Sequence, residues 1–114
     1  MPEIFIGRVN VHRPNCINVR CDRNTVLGNP FRMTSESARA DVIAKHKAWL
    51  KTQVGLNRNL TAQVYELARL HLKGHDLNLQ CWCSPKACHC DSIKELVLEL
   101  AMTIPYGRSE LCHK

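Results

Sequence analysis

The chain has 114 residues, 45% of them hydrophobic and 23% charged, which suits one globular domain with a core of its own. Its apolar runs fall far short of a membrane span, and charges at Glu3 and Arg8 interrupt the opening stretch, so neither a membrane helix nor a secretory signal is expected. The net charge is +6, and seven cysteines without a secretory signal argue against a disulfide framework and for a cytosolic, reducing location.

Residues Glu3 to Val9, with Ile4, Phe5, Ile6 and Val9, read as a first strand. Ile17 to Cys21 alternates cleanly, with Ile17, Val19 and Cys21 on one face and Asn18 and Arg20 on the other. An irregular stretch from Asp22 to Met33 follows, and Gly28-Asn29-Pro30 within it is turn chemistry. Thr34-Ser35-Glu36 signals a helix start, and that helix is predicted to run to about Val54 and stop at Gly55. Its expected core stripe is Ala38, Val42, Trp49 and Leu50, with Lys47 and Lys51 one turn apart on an outer face.

A second helix, about Leu60 to Lys73, is striped by Leu60, Val64, Leu67, Ala68 and His71 and ends at Gly74. Leu77 to Cys83 is the third predicted strand. The last helix is expected to start with Asp91 as N-cap, to bury Ile93, Leu96, Val97, Leu100 and Ile104, and to end at Pro105. The resulting order, β-β-loop-α-α-β-α, predicts a small single α/β domain over residues 1–114, a sheet covered by helices, with a loose tail at 105–114.

Two features carry chemistry. Cys81-Trp82-Cys83-Ser84-Pro85-Lys86-Ala87-Cys88-His89-Cys90-Asp91 gathers four cysteines, a histidine and a carboxylate where a strand gives way to a helix. That junction is where α/β folds place their ligands. The second feature is the distribution of positive charge. Residues 1–44 hold six arginines (Arg8, Arg13, Arg20, Arg23, Arg32 and Arg39) and no lysine, and no acid lies between Asp41 and Glu66. Guanidinium forks suit phosphate, so a phosphate-bearing partner is expected; a merely solubilising basic surface is the plainer alternative.

Val19-Arg20-Cys21-Asp22-Arg23, Leu27-Gly28-Asn29-Pro30-Phe31 and Cys-Trp-Cys-x-Pro-x-x-Cys-His-x-Asp at 81–91 together resemble the phage and bacterial proteins grouped as domain-of-unknown-function family 4326. The resemblance spans roughly Ile17 to Leu100. Position by position, it carries over to Arg20, Arg23, Gly28, Asn29, Pro30, Phe31, Cys81, Trp82, Cys83, Pro85, Cys88, His89 and Asp91. Cys90 departs from it, since glycine or alanine is expected there. The family implies a phage-like context and a motif, and no reaction.

Three readings of the motif stand side by side. Cys81, Cys83, Cys88 and His89 form a Cys₃His set for zinc. Against it, alternate strand residues lie about 6.5–7 Å apart, and the usual two-residue spacer is missing. In the catalytic reading, Cys88 or Cys90 is a thiolate at a helix N-terminus, His89 shuttles a proton or donates to phosphate, and Asp91 orients His89 or acts as base. In the structural reading the cysteines fill space and Asp91 is simply a cap. Trp82 is expected in the core between sheet and helix, and Trp49 likewise, unless exposed for stacking on a base. His12, His46, His71, His75 and His113 show no ligand spacing.

The leading expectation is a small phage-type nuclease or lyase that cleaves DNA at damaged or abasic positions. Phosphate would be held by Arg20, Arg23, Asn29, Arg32, Lys47 and Lys51; His89, Asp91, Cys88 and Lys86 would be catalytic, with Lys86 supplying an amine for elimination. Zinc is the candidate cofactor. The alternatives are a host-takeover protein that binds and inhibits or redirects a bacterial enzyme, with a host DNA-processing protein as a candidate partner, and a nucleotide-binding sensor or transferase.

Overall fold

The computed structural model describes residues 2–22, 25–28, 30, 35–82 and 89–104. Leu77–Cys81 is buried on both faces, as a strand must be when it is flanked by neighbours and covered above and below. It is the middle strand, β3, of a parallel sheet with the order β1-β3-β2, where β1 is Ile4–Arg8 and β2 is Ile17–Arg20. The register sets Phe5, Asn78 and Asn18 in one row and Gly7, Gln80 and Arg20 in the next but one. Ile4, Leu77, Leu79 and Cys81 therefore face the helices, and Phe5, Asn18, Asn78 and Gln80 face the other way.

Three helices cover the apolar face: α1 (Arg39–Gln53), α2 (Arg58–Leu72) and α3 (Cys90–Thr103). In α2 the five predicted stripe residues, Leu60, Val64, Leu67, Ala68 and His71, are all buried, and they pack against Ile93, Leu96 and Val97 of α3. Burying each of the leucine, isoleucine and valine side chains in this seam contributes about 1.5–3 kcal/mol. Asn57 caps α2 by accepting a 3.0 Å bond from Leu60 N–H, and Gly74 ends it at φ 99°, a conformation that costs other residues a steric penalty.

Two boundaries differ from the sequence reading. Ser35 pairs its hydroxyl with that of Ser37 at 2.9 Å rather than capping, and a 3-10 turn over Glu36–Ala38 precedes α1. At α3 the N-cap position is His89, not Asp91, which sits exposed in the first turn. In α1 the buried stripe is Val42, His46 and Leu50, with Trp49 partly buried against the same core; the buried histidine is the member that the sequence reading did not include.

The second face of the sheet is polar and is roofed by the connection between β1 and β2. Gln80 Nε2 donates to the Val11 carbonyl at 3.0 Å. Asn18 accepts from Arg13 N–H and donates back to the Arg13 carbonyl, both at 3.0 Å, and Asn78 donates to Asn18 Oδ1 at 2.8 Å. Arg13 itself lies over the Phe5 ring, 3.7 Å from its centre. The parallel arrangement matters most for function, because it brings the ends of all three strands and the start of α3 to one rim.

Candidate functional site

Hydrogen bonds continue past the strand ends. Val9 N–H donates to the Cys81 carbonyl at 3.2 Å and Cys21 N–H donates to the Gln80 carbonyl at 2.9 Å. One step further along the same register, Asp22 and Trp82 come beside each other at the carboxyl rim. Thr25 closes the turn after β2, its N–H and hydroxyl both donating to the Asp22 carbonyl at 2.9 Å. The Asp22 side chain is only 3% exposed although it lies at the edge of the sheet.

Arg20 and Asp22 share a face two residues apart, and Arg20 Nη2 meets Asp22 Oδ2 at 2.5 Å. The Arg20 hydrogen bond holds the Asp22 carboxyl below its ordinary value, against the opposing push of burial, and Trp82 adds the smallest of the favourable contacts. The second oxygen, Oδ1, is buried without a hydrogen-bond partner among the described residues. Above this anchored carboxylate the Arg20 side chain is 50% exposed and Trp82 is 52% exposed. Trp82 is thus not the core residue expected of a strand tryptophan: β3 ends one residue earlier, and the indole falls on the polar side of the sheet. An open groove of about 490 Å³ runs from Arg20 along β2, lined by Asn18, Thr25, Val26, Leu27 and Gln63.

Behind the rim, His89 is 9% exposed and hydrogen-bonds through Nε2 to the Cys21 carbonyl. A carbonyl only accepts, so Nε2 carries the proton and, in the neutral ring, Nδ1 holds the lone pair. His46 of α1 stands edge-on to it, with ring centroids 5.1 Å apart, and leans on Trp49 at 5.7 Å. Burial, then the charge of His89, push His46 down to about 4, against a smaller upward pull from the Leu27 backbone. Its proximity to His89 has no signal in the sequence, because the two come from different helices. Asp22 had one, the same-face Arg-x-Asp pair at a strand end.

Of the residues singled out from the sequence, Arg20 and His89 come to the same rim, joined through Cys21 and Asp22. Cys81 ends β3 with its side chain fully buried on the core face. Lys47 is spent on Glu95 of α3 at 2.8 Å, which raises the lysine and lowers the glutamate from their ordinary values, and Lys51 is exposed. Arg23, Asn29, Arg32, Cys83, Lys86 and Cys88 lie outside the described residues. Among the described residues no three His, Cys, Asp or Glu side chains converge as a metal set. No helix among them is long and apolar enough to cross a membrane.

A small α/β domain built on a three-stranded parallel sheet is the class these features define. The chain belongs to the family described as Domain of unknown function (DUF4326), whose model matches residues 7–99. No curated protein and no solved structure matches it.

Proposed function

We propose that the chain binds nucleic acid at the carboxyl rim of its sheet and acts there as a small nuclease or lyase on damaged or abasic positions. The observation that carries this reading is the pair of half-exposed side chains, Arg20 and Trp82, standing over the buried carboxylate of Asp22. A guanidinium held by a carboxylate is aimed, and its remaining N–H groups suit a phosphate oxygen. An exposed indole beside it suits the face of a base. Together they match one nucleotide unit.

The indole favours nucleic acid whose bases are already unstacked. A base in intact duplex must be flipped out, at a cost of a few kcal/mol, before it can stack on protein, and that cost is least where the strand is single or damaged. His89, at the N-terminus of α3 and in the same corner, and Asp91, exposed in the first turn of α3, are the described members of the catalytic set.

The test is a panel of intact, uracil-containing and abasic oligonucleotides, single- and double-stranded. Tight binding and strand cleavage at the abasic site, lost in His89→Ala, support the full reading. Binding without cleavage keeps the nucleic-acid partner and removes the enzyme. Binding to none of them rejects the proposal and leaves a protein partner as the role of the rim.

A further inference from the structure

His46 is buried, and its ring nitrogens are not satisfied by any well-formed hydrogen bond among the described residues. It is 0% exposed, in the middle of α1, and neither Nδ1 nor Nε2 has a partner of full hydrogen-bond geometry among the described residues, the Leu27 backbone giving only a small upward pull. Native folds seldom leave a buried polar atom bare, and where they do, an ion or an ordered water is a usual reason. Here two such atoms belong to one ring.

The distance to His89 points to which it is. The two ring centroids lie 5.1 Å apart with the planes at 73°. On a tetrahedral zinc ion, with metal–nitrogen bonds of about 2.0–2.1 Å, each imidazole centre lies about 3.2 Å from the metal, and two such rings stand about 5.2 Å apart. An edge-to-face contact between rings has a similar spacing. It leaves both nitrogens of His46 without a partner, whereas an ion between the rings would take up one of them.

His89 is prepared in the manner of a ligand. Its Nε2–H is given to the Cys21 carbonyl, which fixes the ring and leaves Nδ1 as a lone pair. Metal-bound histidines are anchored in this way, one nitrogen on the ion and the other N–H on a carbonyl or carboxylate.

We infer that His46 and His89 are two ligands of a divalent transition-metal ion, zinc by preference, at the junction of α1 and the start of α3. Among the described residues no third His, Cys, Asp or Glu joins them, so the assignment covers two positions of the shell. It adds His46, which the cysteine-rich motif does not contain, and it goes beyond the nucleic-acid reading, because it concerns the metal alone.

The experiment uses the full chain with any affinity tag removed, titrated with Zn²⁺ or Co²⁺ and followed by native mass spectrometry and by cobalt visible absorption. One ion per chain is expected, with affinity falling at least about tenfold in His46→Phe. His71→Gln, which alters a buried histidine of α2 outside the pair, is expected to bind as the unaltered chain does. Should His46→Phe fail to fold, imidazole ¹⁵N resonances of the unaltered protein decide: zinc is expected to shift those of both His46 and His89. No bound ion, equal binding by His46→Phe, or shifts confined to other histidines would overturn the inference and leave a buried water or a plain ring contact between them.

Discussion

His89 donates from Nε2 to the backbone carbonyl of Cys21, and this bond ties the first turn of α3 to the end of β2. The next residue after Cys21 is Asp22, which pairs with Arg20, so the histidine of the cysteine-rich motif and the arginine near the front of the chain belong to one corner. The account of function depends on that corner.

The Asp22 carboxylate is buried and charged, and Arg20 is its main partner. Asp22→Asn keeps the shape and removes the charge. Because Arg20 is half exposed, solvent screens the pair, and the loss in stability is expected to be modest, about 1 kcal/mol. Nucleic-acid binding should weaken as well, since the guanidinium is no longer held. Thermal unfolding and oligonucleotide titration of the same variant check both. The folded-state pKa lies below the ordinary 3.8, so this contribution is fully present above that value and disappears as pH falls through the lower folded value.

His46 titrates the other way round from a paired histidine. The unfolded ring takes its proton near 6.5 and the folded ring only near about 4. More protons are then bound by the unfolded chain between those values, so stability is complete above 6.5 and falls as the pH drops toward 4. The slope is at most about 1.4 kcal/mol per pH unit. Urea unfolding in chelator across this range should show it, and His46→Phe should flatten it. A slope unchanged in that variant would mean that another group is responsible.

Gly7 lies against Asn78 on the polar face, where an added Cβ would stand 3.0 Å from Asn78 Oδ1. Asn78 has little room to yield, since its amide already donates to Asn18. Gly7→Ala is expected to cost about 1–3 kcal/mol. Most of that cost should vanish when Asn78→Ser is present as well, which a double-mutant cycle of unfolding free energies would reveal.

Much of this architecture could be read from periodicity. The alternation in Ile17–Arg20 and the stripe from Leu60 to His71 each respond to one buried face, and a local pattern suffices when burial is one-sided. The start of α1 was misread because Ser35 has the chemistry of a cap but turns its hydroxyl to Ser37. Trp82 departs from expectation because a tryptophan beside a buried strand normally lies in the core, whereas here β3 ends at Cys81 and the side chain is exposed. The meeting of His46 with His89, and of Asp22 with Trp82, depends on strand order, which no local spacing encodes.

Phosphate contacts release counterions, so salt dependence separates a binding arginine from a structural lysine. Arg20→Ala should reduce the slope of log affinity against log salt by about 1. Lys47→Ala should leave the slope unchanged, because Lys47 is already committed to Glu95 across α1 and α3. Equal slopes for Arg20→Ala and the unaltered chain would remove Arg20 from the interface.

The most direct test of the rim as a nucleotide site is the affinity of Trp82→Ala for a labelled single-stranded oligonucleotide, measured by anisotropy at low salt. Removal of an exposed side chain should leave stability within about 0.5 kcal/mol, while loss of one stacked base should weaken binding by about 1–3 kcal/mol. Unchanged affinity in a folded Trp82→Ala protein, or no binding by the unaltered chain, would contradict it.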